Sequence, residues 1–485
     1  MSKIDKAMDN FTDQMLNKET APKKSQGFFA LLTAGEVTTG LINNVILSYQ
    51  NYILTQFVQL STALTANILA IMNFINLIFT PLGGAFYDRV KFKKGKYWPW
   101  FFIIPLIISG INVWMTGNVA YGGNKVLTAV LMIAGVACGN IFLWSLIRGI
   151  VPTLSRDTQE QTVAATWTNI WKEVAKYAGM SLAPSLMIIW SVNGTEWDPR
   201  GLFITTLVFS IIGCLLGAVI GVVYKKKVED AGMLQKEADR ANTAKTRTSI
   251  IDLFKQVFTN KFLLLIFVVI VFSNSRSYTT QNLHTYYYKF IWENPAAMST
   301  MRLYGQIAVV IATFLVPVLK KYVFKETKAF YVFTMAGVCI CQFLTLFAKT
   351  YAAYEIIEVM EYFIFGFKGV MDVLLFTIAI DVIRYETYKL GETPTLARGA
   401  VMGLFSSALA AAKIMCGYVV NGILAYCGYA AGTITEGFKS LFPVLYAVVP
   451  GCLTLISVLL MLFFYKTKDA DLVSMRDELN AAGMA

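Results

Sequence analysis

Charge is scarce in this sequence and histidine almost missing: charged residues fill 15% of the 485 positions, and His284 is the only histidine. Soluble domains carry roughly 25% charged residues. A single histidine excludes a His-rich metal centre and leaves no plausible Ser–His–acid triad. No glycine-rich phosphate loop or nucleotide-binding domain can be read either, so an enzyme is not expected. The seven cysteines (138, 214, 339, 341, 416, 427 and 452) lie in or beside apolar stretches without metal-ligand spacing. They read as reduced core thiols, not as a disulfide framework. The first 26 residues lack the apolar core and small-residue cleavage site of a signal peptide and read as a cytoplasmic tail.

What is abundant is apolar sequence: 56% of residues are hydrophobic, with mean hydropathy +0.56. Runs such as Leu202–Val223, Lys328–Phe347 and Leu441–Phe464 are long enough to cross a hydrocarbon core of about 30 Å. Twelve spans are expected, near 27–57, 62–87, 98–117, 124–152, 160–192, 201–224, 260–290, 299–320, 328–348, 354–384, 399–428 and 440–465. The formal net charge of +12 sits between these spans, so nucleic acid is not its partner. Lysine and arginine cluster in alternate loops: Arg89 to Lys96, Lys225 to Lys255, Lys320 to Lys328, and Arg384 with Lys389. The positive-inside rule then places both termini in the cytoplasm.

Residues 225–259 are the one long charged interruption and divide the chain almost equally. The fold class is therefore all-α integral membrane. Two six-helix bundles, 27–224 and 260–465, are joined by a cytoplasmic linker at 225–259, with tails at 1–26 and 466–485. Repeated halves of this kind suggest alternating access, with a solute site at the half-to-half interface near the bilayer midplane.

The loop after span 2 runs Gly84-Ala-Phe-Tyr-Asp88-Arg89-Val-Lys-Phe-Lys-Lys-Gly95-Lys96-Tyr97-Trp98-Pro99-Trp100. The second half contains Asp381-Val-Ile-Arg-Tyr385-Glu386-Thr-Tyr-Lys389-Leu-Gly391, then Arg398-Gly399, Lys413 and Gly428-Tyr429. Pro152 to Asp157, followed by Gln159-Glu160, is a weaker third motif. Together these resemble the major facilitator superfamily, in the form found in the glycoside–pentoside–hexuronide:cation symporters. The resemblance implies a carrier of small solutes, with Asp88, Arg89, Asp381, Glu386 and Arg398 as gating charges that pair in one access state and part in the other. Pro99 fits the first turn of span 3, while Trp98 and Trp100 fit an interfacial aromatic belt.

Ionisable groups inside a membrane are costly unless paired or hydrated, which makes them candidate functional residues. At about 1.5 Å per residue, Glu36, Lys172, Arg276, Asp372 and Lys413 all reach the middle of the bilayer. On span 1, Glu36, Gly40, Asn43, Leu47 and Gln50 form a polar stripe at helical spacing that must face the interior. Span 7, from Ser273 to His284, is too polar to face lipid and is expected to line a wet cavity. Plainer readings stand beside these. Lys368 and Asp372 are spaced to neutralise each other, Glu173 can pair with Lys172 or Lys176, and His284 is more often a satisfied interfacial residue than a proton relay. Arg276 and Lys413 have no same-helix carboxylate one turn away, which leaves either a functional role or a cross-helix salt bridge.

The resemblance also locates family site positions. The two cation-binding carboxylates of span 2 fall on Asn76 and Thr80, neither acidic. The two sugar-binding aspartates fall on Gly40 and Asn140. The stacking aromatic is kept as Trp144 and the basic residues as Lys172 and Lys413, while Asp372 replaces an aromatic. The expected substrate-binding set is Glu36, Asn43, Asn140, Trp144, Lys172, Arg276, Asp372 and Lys413. Losing carboxylates while keeping cations favours an anionic solute such as a uronide. Coupling stays open between protons, through Glu36 or Asp372, sodium without its usual carboxylates, and no ion at all. No metal or cofactor is expected; the partners are a small solute and the lipid of a cytoplasmic membrane, with the chain as a monomer. Competing readings are a carrier of lipid-like amphiphiles and an exchanger or uniporter of organic anions.

Overall fold

The computed structural model describes residues 26–89, 97–146, 158–230, 260–324, 326–389, 398–430 and 432–469, with 471, 472, 474, 475 and 478. Among these, twelve long helices follow one another. They are α1 (Gly27–Phe57), α2 (Thr62–Arg89), α3 (Trp100–Ala120), α4 (Lys125–Leu146), α5 (158–189), α6 (Pro199–Glu229), α7 (Lys261–Ile291), α8 (Ala297–Tyr322), α9 (Thr327–Phe347), α10 (Tyr351–Lys389), α11 (Arg398–Tyr426) and α12 (Phe438–Phe464). A two-stranded hairpin, Tyr429–Ala430 against Thr433–Ile434, joins the last two helices.

Helix starts follow local chemistry. Asn124 accepts hydrogen bonds from the Val126 and Leu127 amides, and Asn260 from those of Phe262 and Leu263. Asp198 accepts from Gly201, with Pro199 at the first helical position. Helix α3 ends at Gly122, whose φ of +67° is the left-handed conformation that glycine adopts without steric cost.

Ten of the twelve helices are long and apolar enough to cross a membrane. Side chains are sorted as a lipid solvent requires. Leu106, Trp114, Leu215, Phe314 and Phe463 are exposed, while Asn43, Asn112, Ser273, Ser275 and Thr334 are fully buried. Trp100 departs from the expected aromatic belt. It is only 7% exposed and its ring lies 5.0 Å from Phe86 and 5.6 Å from Tyr87, because the foot of α2 offers an aromatic surface that buries it.

The chain forms two compact units. The first holds residues 1–53 and 78–245, the second 54–77 and 246–485. The division differs from one made in sequence order, because the end of α1 and the start of α2 belong with the later helices.

In the first unit, Phe29, Tyr87, Phe101, Ile104, Leu143 and Tyr224 form the core. Helices approach closely where side chains are small. A Cβ on Gly40 of α1 would sit 2.3 Å from Ala175 Cβ of α5, and one on Gly179 of α5 would sit 2.5 Å from Asn44 Cβ. Each of α1, α4 and α5 also contains a π-helical turn, at Gly40–Asn44, Gly139–Leu143 and Ala178–Leu182. A side chain from another helix takes up a carbonyl within each. The Asn112 amide donates to Ile42 O at 2.8 Å, the Tyr87 hydroxyl to Phe142 O at 2.8 Å, and the Tyr49 hydroxyl to Met180 O at 3.3 Å.

In the second unit, Leu263, Ile266, Val269, Ile270, Phe330, Tyr331 and Met371 form the core. The segment contributed by 54–77 is fastened by its side chains. Thr55 and Tyr286 hydroxyls share a hydrogen bond of 2.5 Å, Tyr429 donates to Gln56 Oε1 at 2.8 Å, and Tyr418 to Asn67 Oδ1 at 3.3 Å.

Candidate functional site

Within the first unit the polar stripe of α1 is inside: Glu36, Gly40, Asn43 and Gln50 are all buried. Asn43 packs against the π-turn of α4, where a Cβ on Gly139 would meet its Nδ2 at 2.5 Å. Asn140, the next residue, is buried as well. The contact of Gly40 with Ala175 lays α1 along the face of α5 that also carries Lys172, three residues earlier. The structure thus brings α1 against both helices that hold its companion candidates. Trp144 and Lys172 are half-buried. Both amide atoms of Asn43 lack a hydrogen-bond partner among the described residues, leaving a buried amide ready for a polar ligand. Glu173 pairs with Lys176 at 2.7 Å, the local ion pair that its spacing allows.

On α2, Asn76 is buried and Thr80, one turn on, is half-buried. Neither Asn76 amide atom has a partner among the described residues. The backbones of Asp88, Arg89, Asp381, Glu386 and Arg398 lie in α2, α10 and α11, but the side chains expected to gate fall outside the described residues, as does Arg148.

The second unit contains two networks on α7 and α10. In the first, Lys368 Nζ pairs with Asp372 Oδ2 on the same helix and donates to Asn274 Oδ1 at 3.2 Å; all three residues are buried. Asp372 Oδ1 has no partner among the described residues. The same-helix pair is therefore formed, and Asn274 of α7 closes it into a triangle. Lys413 of α11 stands 5.5 Å from the centroid of the Tyr278 ring on α7.

The second network is richer. Arg276 is 2% exposed, pairs with Glu361 Oε1 across helices and donates to Gln342 Oε1 at 2.7 Å. One turn before Glu361, Glu358 receives His284 Nε2 at 3.1 Å on one oxygen and the Tyr446 hydroxyl at 2.7 Å on the other. Gln342 Nε2 in turn donates to the Tyr446 carbonyl at 3.1 Å, and Tyr354 donates to the Tyr446 hydroxyl at 3.1 Å. Glu358 and Glu361 are 1% and 4% exposed. Of the two readings open for Arg276, the cross-helix salt bridge is what forms. His284 is buried, with Nε2 on Glu358.

Glu358 and Glu361 were not singled out from the sequence, although they carry the network. The signal was present: glutamates at i, i+3 inside an expected span fall under the same cost argument as Asp372. They lie near the start of the expected span 10, and α10 begins at Tyr351, which places both inside the helix.

A profile of the MFS/sugar transport protein family matches residues 31–469. Among curated relatives, the raffinose carrier protein of Pediococcus pentosaceus is 22% identical over 439 residues, covering 85% of this chain and 64% of the relative. The lactose permease of Lactobacillus helveticus is 23% identical over 390 residues, covering 76% of this chain and 56% of the relative. This chain thus spans less than two thirds of the length of either relative. Among solved structures, the nucleoside transporter NupG has a TM-score of 0.61 at 13% identity, covering 91% of this chain and 99% of its own. A bacterial homolog to the human lysosomal transporter Spinster has a TM-score of 0.62 at 11% identity, covering 90% and 95%. At such identities the structural likeness speaks for the fold alone, but the family profile extends over nearly the whole sequence. The chain belongs to the MFS/sugar transport protein family, in the glycoside–pentoside–hexuronide branch that its loop motifs indicate.

Proposed function

We propose that this protein carries a neutral saccharide or glycoside across the membrane by alternating access. The family match over residues 31–469 supports a sugar-class solute, and the curated relatives are by name a raffinose carrier and a lactose permease. The observation that supports a neutral solute is the pairing of buried cations. Arg276 sits on Glu361 and Lys368 on Asp372, so two positive groups of the second unit are already neutralised by carboxylates. An uncompensated positive potential was the argument for an anionic solute. With Arg276 engaged, that argument weakens, and a buried open amide such as that of Asn43 suits a sugar hydroxyl.

Counterflow in proteoliposomes decides between the readings. Purified protein preloaded with unlabelled lactose or raffinose is expected to accumulate the labelled sugar transiently, with a charged glucuronide inert. Exchange of the glucuronide alone would restore the anionic reading; exchange of neither class would remove the saccharide assignment.

The distribution of lysine and arginine further supports cytoplasmic termini and a cytoplasmic membrane. Alkaline phosphatase fused to the C-terminus is expected to be inactive, and fused after Gly194, between α5 and α6, active. The reverse pattern would invert the topology.

A further inference from the structure

We propose that His284 and Glu358 form a proton-binding site that couples transport to protons. The proposal rests on the transport reading above, and it places coupling on α7 and α10 instead of on the α2 positions Asn76 and Thr80 where the family resemblance locates its cation site. The geometry begins with His284 Nε2, 3.1 Å from Glu358 Oε2. A ring nitrogen facing a carboxylate must carry the hydrogen, so in neutral His284 the lone pair lies on Nδ1. That atom is buried and has no partner among the described residues. It is the open position of the imidazole beside Glu358, and it is where a water molecule or hydronium would dock.

Uptake is balanced simply. The Nδ1 lone pair forms an N–H bond, the hydronium O–H bond breaks and leaves water, and the imidazolium charge is compensated by Glu358 across the existing hydrogen bond. Nothing is oxidised or reduced. Release reverses the step, and the pair keeps the same contact in both states while its charge differs by one.

The surroundings favour this seat. Two carboxylates one turn apart need two cations in contact. Arg276 supplies a permanent one to Glu361. Glu358 bonds to His284 and to the Tyr446 hydroxyl and lies within electrostatic reach of Arg276, so protonated His284 is the cation that would touch it directly. Arg302 of α8 is buried nearby but donates to the Gln281 carbonyl at 3.2 Å and faces Tyr362. From α7, Tyr288 packs against the imidazole at 6.4 Å and Tyr287 against Tyr446 at 4.6 Å. From α10, Tyr362 stacks on the imidazole at 6.5 Å, and Tyr354 reaches the pair through Tyr446. Cys341 of α9 lies within electrostatic reach of Glu358. These hydroxyl and thiol groups are ordinarily neutral near pH 7, with model values of about 8.5 to 10. An imidazole is the kind of side chain whose proton ordinarily comes and goes near neutrality.

Because His284 is the only histidine, ¹⁵N-histidine labelling of the intact protein gives a signal from this site alone. The expected spectrum shows imidazolium in mild acid converting to the Nε2–H tautomer in mild base. His284 should titrate at a shifted pH in E358Q, and also in Y446F, which removes a single oxygen and preserves the packing should E358Q fail to fold. In proteoliposomes an inward proton gradient is expected to concentrate the solute of the counterflow assay several-fold, with H284N and E358Q reduced to equilibration and E358D partly restored. A His284 signal fixed in one state across the folded pH range would overturn the proposal, as would gradient-driven accumulation undiminished in both H284N and E358Q. If counterflow fails while His284 titrates and responds to Glu358, the proton site stands and the saccharide reading falls.

Discussion

Arg276 and Glu361 illustrate what a buried ion pair does at the scale of single residues. Both are withdrawn from solvent and each is the other's main charge partner. Glu361→Gln leaves a guanidinium without its carboxylate and is expected to cost about 3–5 kcal/mol, whereas replacing both residues together, Arg276→Met with Glu361→Leu, is expected to be near neutral. Unfolding in mixed micelles, followed by tryptophan fluorescence, measures both. The opposite limit is Lys439 with Glu293, 2.5 Å apart and largely exposed. The Lys439 ammonium holds the Glu293 carboxyl below its usual range through a hydrogen bond and charge attraction. A depressed folded-state value means that the contribution is present near neutrality and fades as pH falls through that value. Because both groups face solvent, Lys439→Ala is expected to leave the melting temperature unchanged in high salt at any pH.

At the scale of elements, the sequence was most legible where pattern repeats. Over the described residues the twelve helices follow the expected spans to within a few residues, because apolar length and interrupting charge are local properties. The π-helical turns were not legible. A widened turn depends on which side chain of a neighbouring helix can take the freed carbonyl, and that partner lies far along the chain: Asn112 for Ile42, Tyr87 for Phe142, Tyr49 for Met180. The same holds for Arg276, whose partner 85 positions later belongs to another span. Asn112→Leu keeps the volume and removes the donor, leaving the Ile42 carbonyl buried and unsatisfied. A loss of about 1–3 kcal/mol is expected. Tyr87→Phe is expected to cost less, because Phe142 O is only partly buried and the ring remains among Phe86, Tyr97 and Trp100. A larger loss for Tyr87→Phe than for Asn112→Leu would contradict the assignment of these contacts.

At the scale of the whole molecule, order along the chain and membership of a compact unit part company at residues 54–77. These belong to the second unit, although the spans to which they contribute, α1 and α2, were assigned to the first half. Hydropathy cannot reveal this, because a span is equally apolar whichever neighbours it packs against. Energetic coupling can. Contacting residues interact by about 0.5–3 kcal/mol in double-mutant cycles, while distant ones add to within about 0.3–0.5 kcal/mol. Thr55 shares a hydrogen bond with Tyr286, so the Thr55→Val and Tyr286→Phe losses are expected to be strongly non-additive. Thr55→Val combined with Asn112→Leu, in the first unit, is expected to be additive even though both positions lie in the N-terminal half of the sequence. Additivity for Thr55 with Tyr286, or coupling to Asn112 instead, would return residues 54–77 to the unit that sequence order assigns them.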